Sequence, residues 1–115
     1  MGNYEAIFNL AQSYIDNLAR QHPAIYEILQ RIKPKKYEDV IEIEELFLIE
    51  RERKLIEKAE EYIANLYVAK KLEEELAKPE NKEYSLILSN VLEEVTKKIN
   101  EIYKEIEDYA VQQYW

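Results

Sequence analysis

Between residues 37 and 77 the chain carries neither Pro nor Gly, and most of its side chains are good helix formers. Ile49, Ile56 and Ile63 recur every seven residues, with Leu46, Ala59, Tyr62 and Leu66 filling neighbouring positions of one helical face. An unbroken helix over this stretch would be roughly 60 Å long at 1.5 Å per residue. A compact domain of this size has a radius of gyration of only ~13 Å, too small to enclose such a rod. The stretch therefore demands an elongated fold, a broken helix, or cover from a second copy.

The flanking segments read as further helices. Tyr4, Ile7, Phe8, Ala11, Tyr14, Ile15, Leu18 and Ala19 repeat with 3–4 spacing over residues 3–21, opposite a polar face of Glu5, Asn9, Gln12, Asp16 and Arg20. Pro23 disfavours helical geometry at His22 and suits the first turn of a new helix. A corner near Gln21–His22 and a short helix to about Ile32 follow, with Ile25, Ile28, Leu29 and Ile32 turned inward. Pro34 breaks that helix, and Pro79 ends the central one. Over residues 82–112, Leu88, Leu92, Val95, Ile99, Ile102, Ile106 and Tyr109 step alternately by four and three, a heptad seam. Short connections between long helices make antiparallel neighbours. The expectation is one all-α domain over residues 1–115: an elongated bundle of about four helices, with a very long central helix and a C-terminal antiparallel helical hairpin.

Composition narrows the class. A chain of 115 residues with 47% apolar and 35% charged side chains can bury a core without disulfide or metal staples. There is no Cys, no apolar run of membrane-spanning length and no basic start that reads as a signal peptide, so a cytoplasmic protein away from membranes is expected. Abundant Ile, Glu, Lys and Tyr with scarce Gly and Met resembles thermophile usage, while seven Asn and five Gln run against it. Charge is uneven. Residues 1–36 hold five basic and three acidic side chains, a balance of +2, whereas residues 37–115 hold eleven and twenty-one, a balance of −10.

Enzymatic constellations are sparse. A di-metal bundle site needs Glu-x-x-His pairs, yet His22 is the one histidine and no Glu stands three residues before it. Glu57-x-x-Glu60 and Glu105-x-x-Asp108 have the shapes used by all-helical nucleotide pyrophosphohydrolases, although two-residue spacings arise often by chance when a fifth of the residues are acidic. Gly2 is the sole glycine, which removes Gly-rich phosphate loops. No cofactor or metal is expected.

Two surfaces stand out for binding. The first combines the dense apolar stretch Ile41, Leu46, Phe47 and Leu48 with the C-terminal aromatics Tyr109, Tyr114 and Trp115. Ten Tyr against two Phe suits half-covered helix faces and interfaces. These residues predict a non-enzymatic adaptor or regulator that docks a protein partner or a second copy, a homodimer being favoured. The acidic face 38–52 would steer a basic partner surface. The second surface is the basic cluster Arg31, Lys33, Lys35 and Lys36 between Tyr26 and Tyr37, where aromatics beside cations suit single-strand nucleic acid. Its plainer reading is a set of cations at a helix C-terminus. A nucleic-acid accessory domain is thus the alternative, and a magnesium-dependent nucleotide hydrolase the third.

Overall fold

A computed structural model describes residues 3–40 and 53–114. Among them the chain is all-α, with four α-helices and no strand: α1 (Asn3–Gln21), α2 (Tyr26–Ile32), α3 (Arg53–Leu76) and α4 (Ser85–Tyr114). Three 3-10 turns, Pro23–Ile25, Tyr37–Val40 and Pro79–Tyr84, precede α2, follow it, and link α3 to α4. The bundle is longer than wide, at 49 × 26 × 22 Å with a radius of gyration of 14.9 Å.

Each helix buries a ridge. On α1, Ile7, Ala11, Ile15 and Ala19 fall at intervals of four, all buried, alternating large and small side chains so that α3 can approach. On α3, Ala64, Val68 and Leu72 form a second such ridge, flanked by Ile63 and Tyr67. On α4, Leu88, Val91, Val95, Ile99 and Ile102 are buried, the 3–4 alternation of a packed helix over residues 88–102. α3 packs most extensively on α4 and next on α1.

One detail differs from the expectation. The α-helix does not begin at Tyr37, because Tyr37–Val40 forms a 3-10 turn tied down on both sides. The Asp39 carboxylate accepts the backbone amides of Lys35 at 2.8 Å and Lys36 at 3.2 Å, and Val40 is fully buried. Of the expected central helix, the described part is the 24-residue α3, and the described α4 has 30 residues. The remaining part of the expected rod, 41–52, lies outside the described residues.

Pro79 ends α3 through a 3-10 turn whose Asn81 reaches back. Its amide donates to the Glu75 backbone carbonyl and to Glu75 Oε1, both at 2.9 Å. Glu75 Oε1 also accepts from Arg31 at 2.8 Å, and Oε2 from Lys78 Nζ at 2.7 Å. One buried carboxylate thus joins α2, α3 and the turn. Burial alone would raise its pKa, but the Lys78, Arg31 and Asn81 donors outweigh that and hold it below the ordinary value.

Candidate functional site

The basic cluster sits where α2 ends and the chain turns back along α1. A row of α1 side chains spaced by four meets this strap in reverse order. Phe8 takes the Tyr37 ring edge-on, with centroids 4.9 Å apart. Gln12 donates to the Pro34 carbonyl at 3.0 Å. Asp16 accepts from Lys33 Nζ at 2.8 Å. Ala19 and Arg20 close the row beside Tyr26 and Gln30.

The termination of α2 explains most of its cations. A helix leaves its last carbonyls without partners. Here Lys35 Nζ serves the Gln30 and Lys33 carbonyls at 2.9 and 3.0 Å, and the buried Tyr67 hydroxyl donates to the Ile32 carbonyl at 2.9 Å. Arg31 belongs to Glu75 and Lys33 to Asp16. Of the four cations in the cluster, the Lys36 side chain alone lacks such an acceptor among the described residues. Nor do Tyr26 and Tyr37 share one platform. They lie at opposite ends of the strap, against Arg20 and Phe8, roughly 18 Å apart along α1 at 1.5 Å per residue.

Asp16, Ala19, Arg20, Tyr26, Gln30 and Lys33 line a shallow groove of about 240 Å³ between α1 and α2. The polar row Gln12, Asp16, Arg20 was visible in the sequence as the wet side of an amphipathic helix. The missing signal was that α2 and its strap would fold against that side.

Along α4 the burial of the apolar repeat falls off toward its C-terminal end. Ile102 is buried, whereas Ile106 and Tyr109 are half-buried, Tyr103 is 52% exposed and Val111 50%. Tyr103 stands beside Tyr62 with ring centroids 6.1 Å apart, and Lys58 pairs with Glu105 at 2.7 Å. The backbone of Tyr114 closes α4. Ile41, Leu46, Phe47, Leu48 and Trp115 lie outside the described residues.

The enzyme-like motifs are distributed as follows. Glu105 is engaged by Lys58, which holds its carboxyl below the usual range. Burial, then the neighbouring Glu57 charge, pushes the Glu60 carboxyl up. Among the described residues no group of three His, Cys, Asp or Glu side chains could hold a metal ion. His22 forms the α1–α2 corner with φ −130° and ψ 71°, as the following Pro requires, and its Nε2 lies 3.7 Å from Glu94. At Tyr14, burial and the Glu61 charge raise the phenol pKa to about 12 against a hydrogen bond from Asn65. That group lies in the α1–α3 packing. No described helix is long and apolar enough to cross a membrane.

No family model, curated protein or solved structure matches the chain. Its function must be argued from these surfaces.

Proposed function

We propose that this chain is a non-enzymatic helical interaction module that pairs with a second copy of itself and offers another face to a protein partner. The observation that carries the reading is the burial profile of α4. Its apolar repeat runs through buried Ile102 into half-buried Ile106 and Tyr109, with Tyr103 and Val111 about half exposed. A second helix laid on these turns would complete the cover. Tyrosine suits such a boundary, since its ring is buried while the hydroxyl keeps a wet partner.

In this reading α3 and α4 form an antiparallel hairpin. The Lys58–Glu105 and Tyr62–Tyr103 contacts near one end, and Glu75–Asn81 at the other, support it. The acidic run 38–52 steers a basic partner surface on approach. Nucleic acid is the weaker reading. Phosphate binding draws on clustered free cations, and Arg31, Lys33 and Lys35 already serve intramolecular acceptors.

Sedimentation velocity on the natural chain and on the Tyr103→Glu/Val111→Glu double variant tests the reading. The natural chain is expected to sediment above its single-chain mass of 13.8 kDa and the variant at that mass. Identical behaviour of the two would overturn it.

A further inference from the structure

We infer that the α1–α2 groove is a recognition site for one carboxylate side chain, Glu or Asp, on a protein partner. The inference rests on the interaction-module reading and supplies the chemistry of one face.

Size comes first. Small-molecule pockets enclose about 300–1,000 Å³ and bury most of their ligand. This groove of about 240 Å³ is open along one side, so it suits a single side chain reaching in from a neighbouring surface. Its charge selects which kind. Lys33 is balanced by Asp16 at 2.8 Å. Arg20 is bonded only to the neutral Asn17 amide oxygen, and no carboxylate pairs with it among the described residues. Arg20 plus Lys33 minus Asp16 leaves one positive charge, which is what one carboxylate needs and too little for a run of phosphates.

The geometry adds specificity. A guanidinium offers a planar fork that matches a carboxylate with two hydrogen bonds, and the incoming group displaces the weaker Asn17 contact. Gln30 supplies an amide on one wall. Tyr26, 53% exposed, presents its ring to the aliphatic stem or to an apolar neighbour of the acid. The strap beneath is tied down by Gln12, Asp16 and Tyr67, and the Asp16 contact places Lys33 before any partner arrives.

The test is a titration of the full ¹⁵N-labelled chain with two capped peptides, acetyl-Leu-Glu-Leu-amide and acetyl-Leu-Gln-Leu-amide, and with a twelve-nucleotide oligo(dT). The Glu peptide is expected to shift the amides of Ala19, Arg20, Gln30 and Lys33 saturably in the millimolar range, at least ~10-fold more tightly than the Gln peptide. Arg20→Gln, a surface change, should abolish the effect while leaving the remaining spectrum in place. Equal response to both peptides, an unchanged Arg20→Gln titration, or tighter oligo(dT) binding at these amides would overturn the inference. Sedimentation of the same samples keeps the two ideas apart. Loss of peptide binding with self-association intact sinks the groove alone, and a single-chain particle that still binds the Glu peptide sinks the α4 interface alone.

Discussion

The Arg31 guanidinium lies 2.8 Å from the Glu75 carboxylate across a separation of 44 residues, so a side chain at the close of α2 is tied to the last turn of α3. That carboxylate also takes Lys78 and Asn81, and it is the most connected polar group in the bundle core among the described residues. Its removal tests how much a polar latch contributes to a fold whose other contacts are mainly apolar.

Glu75→Ala should destabilise the chain by about 1–3 kcal/mol in urea unfolding, mostly because the buried Asn81 amide loses one of its two acceptors and keeps only the residue 75 backbone carbonyl. Arg31 is 51% exposed and Lys78 42%, so both return to water at small cost, and Arg31→Ala should lose no more than ~1 kcal/mol. An unchanged midpoint for Glu75→Ala would contradict the latch.

The same group sets an acid limit. Its folded pKa lies below the ordinary 4.5, so the stabilisation is full above about pH 4.5 and is lost as pH falls through the folded value. Asp39, held down first by the Lys35 amide, loses its share in the same acid range. Urea midpoints measured from pH 7 to pH 3 should therefore stay level to about pH 5 and then fall. The fall should be shallower in Glu75→Gln, and equal slopes would refute the assignment.

Tyr67→Phe isolates the α2 terminus. The buried hydroxyl is the donor to the Ile32 carbonyl, and its loss should cost about 0.5–1.5 kcal/mol with the helical circular-dichroism signal unchanged. A neutral result would mean that water replaces the hydroxyl at that carbonyl.

Nucleic acid should not bind. Single-stranded and duplex DNA at micromolar protein and low salt are expected to give no signal, with Lys33→Glu/Lys35→Glu/Lys36→Glu indistinguishable from the natural chain. Salt-sensitive binding abolished by the triple change would reinstate the basic cluster as a phosphate site.

Much of the fold was legible because local signals agreed. The four-residue steps of Ile7, Ala11, Ile15 and Ala19, the His22–Pro23 corner, and inward Ile25, Ile28, Leu29 and Ile32 all follow from periodicity and proline geometry. The seam on α4 was equally plain, except that Val91 is fully buried beside it. What escaped was set by contacts distant in sequence. No local rule gives Glu75 a partner 44 residues away, or turns the wet row Gln12, Asp16, Arg20 toward a strap. The helix-forming residues 37–40 became a 3-10 turn because the Asp39 carboxylate took backbone amides, a competition that propensity does not foresee. The basic cluster was visible as composition, but its internal acceptors were not.

The self-association reading leans on the exposed and half-buried apolar side chains at the C-terminal end of α4, Tyr103, Ile106, Tyr109 and Val111. Static light scattering of the natural protein over a hundredfold dilution measures this directly. The account predicts a mass of twice 13.8 kDa at high concentration, dropping toward 13.8 kDa only on dilution. A constant 13.8 kDa from the most concentrated sample downward would contradict it.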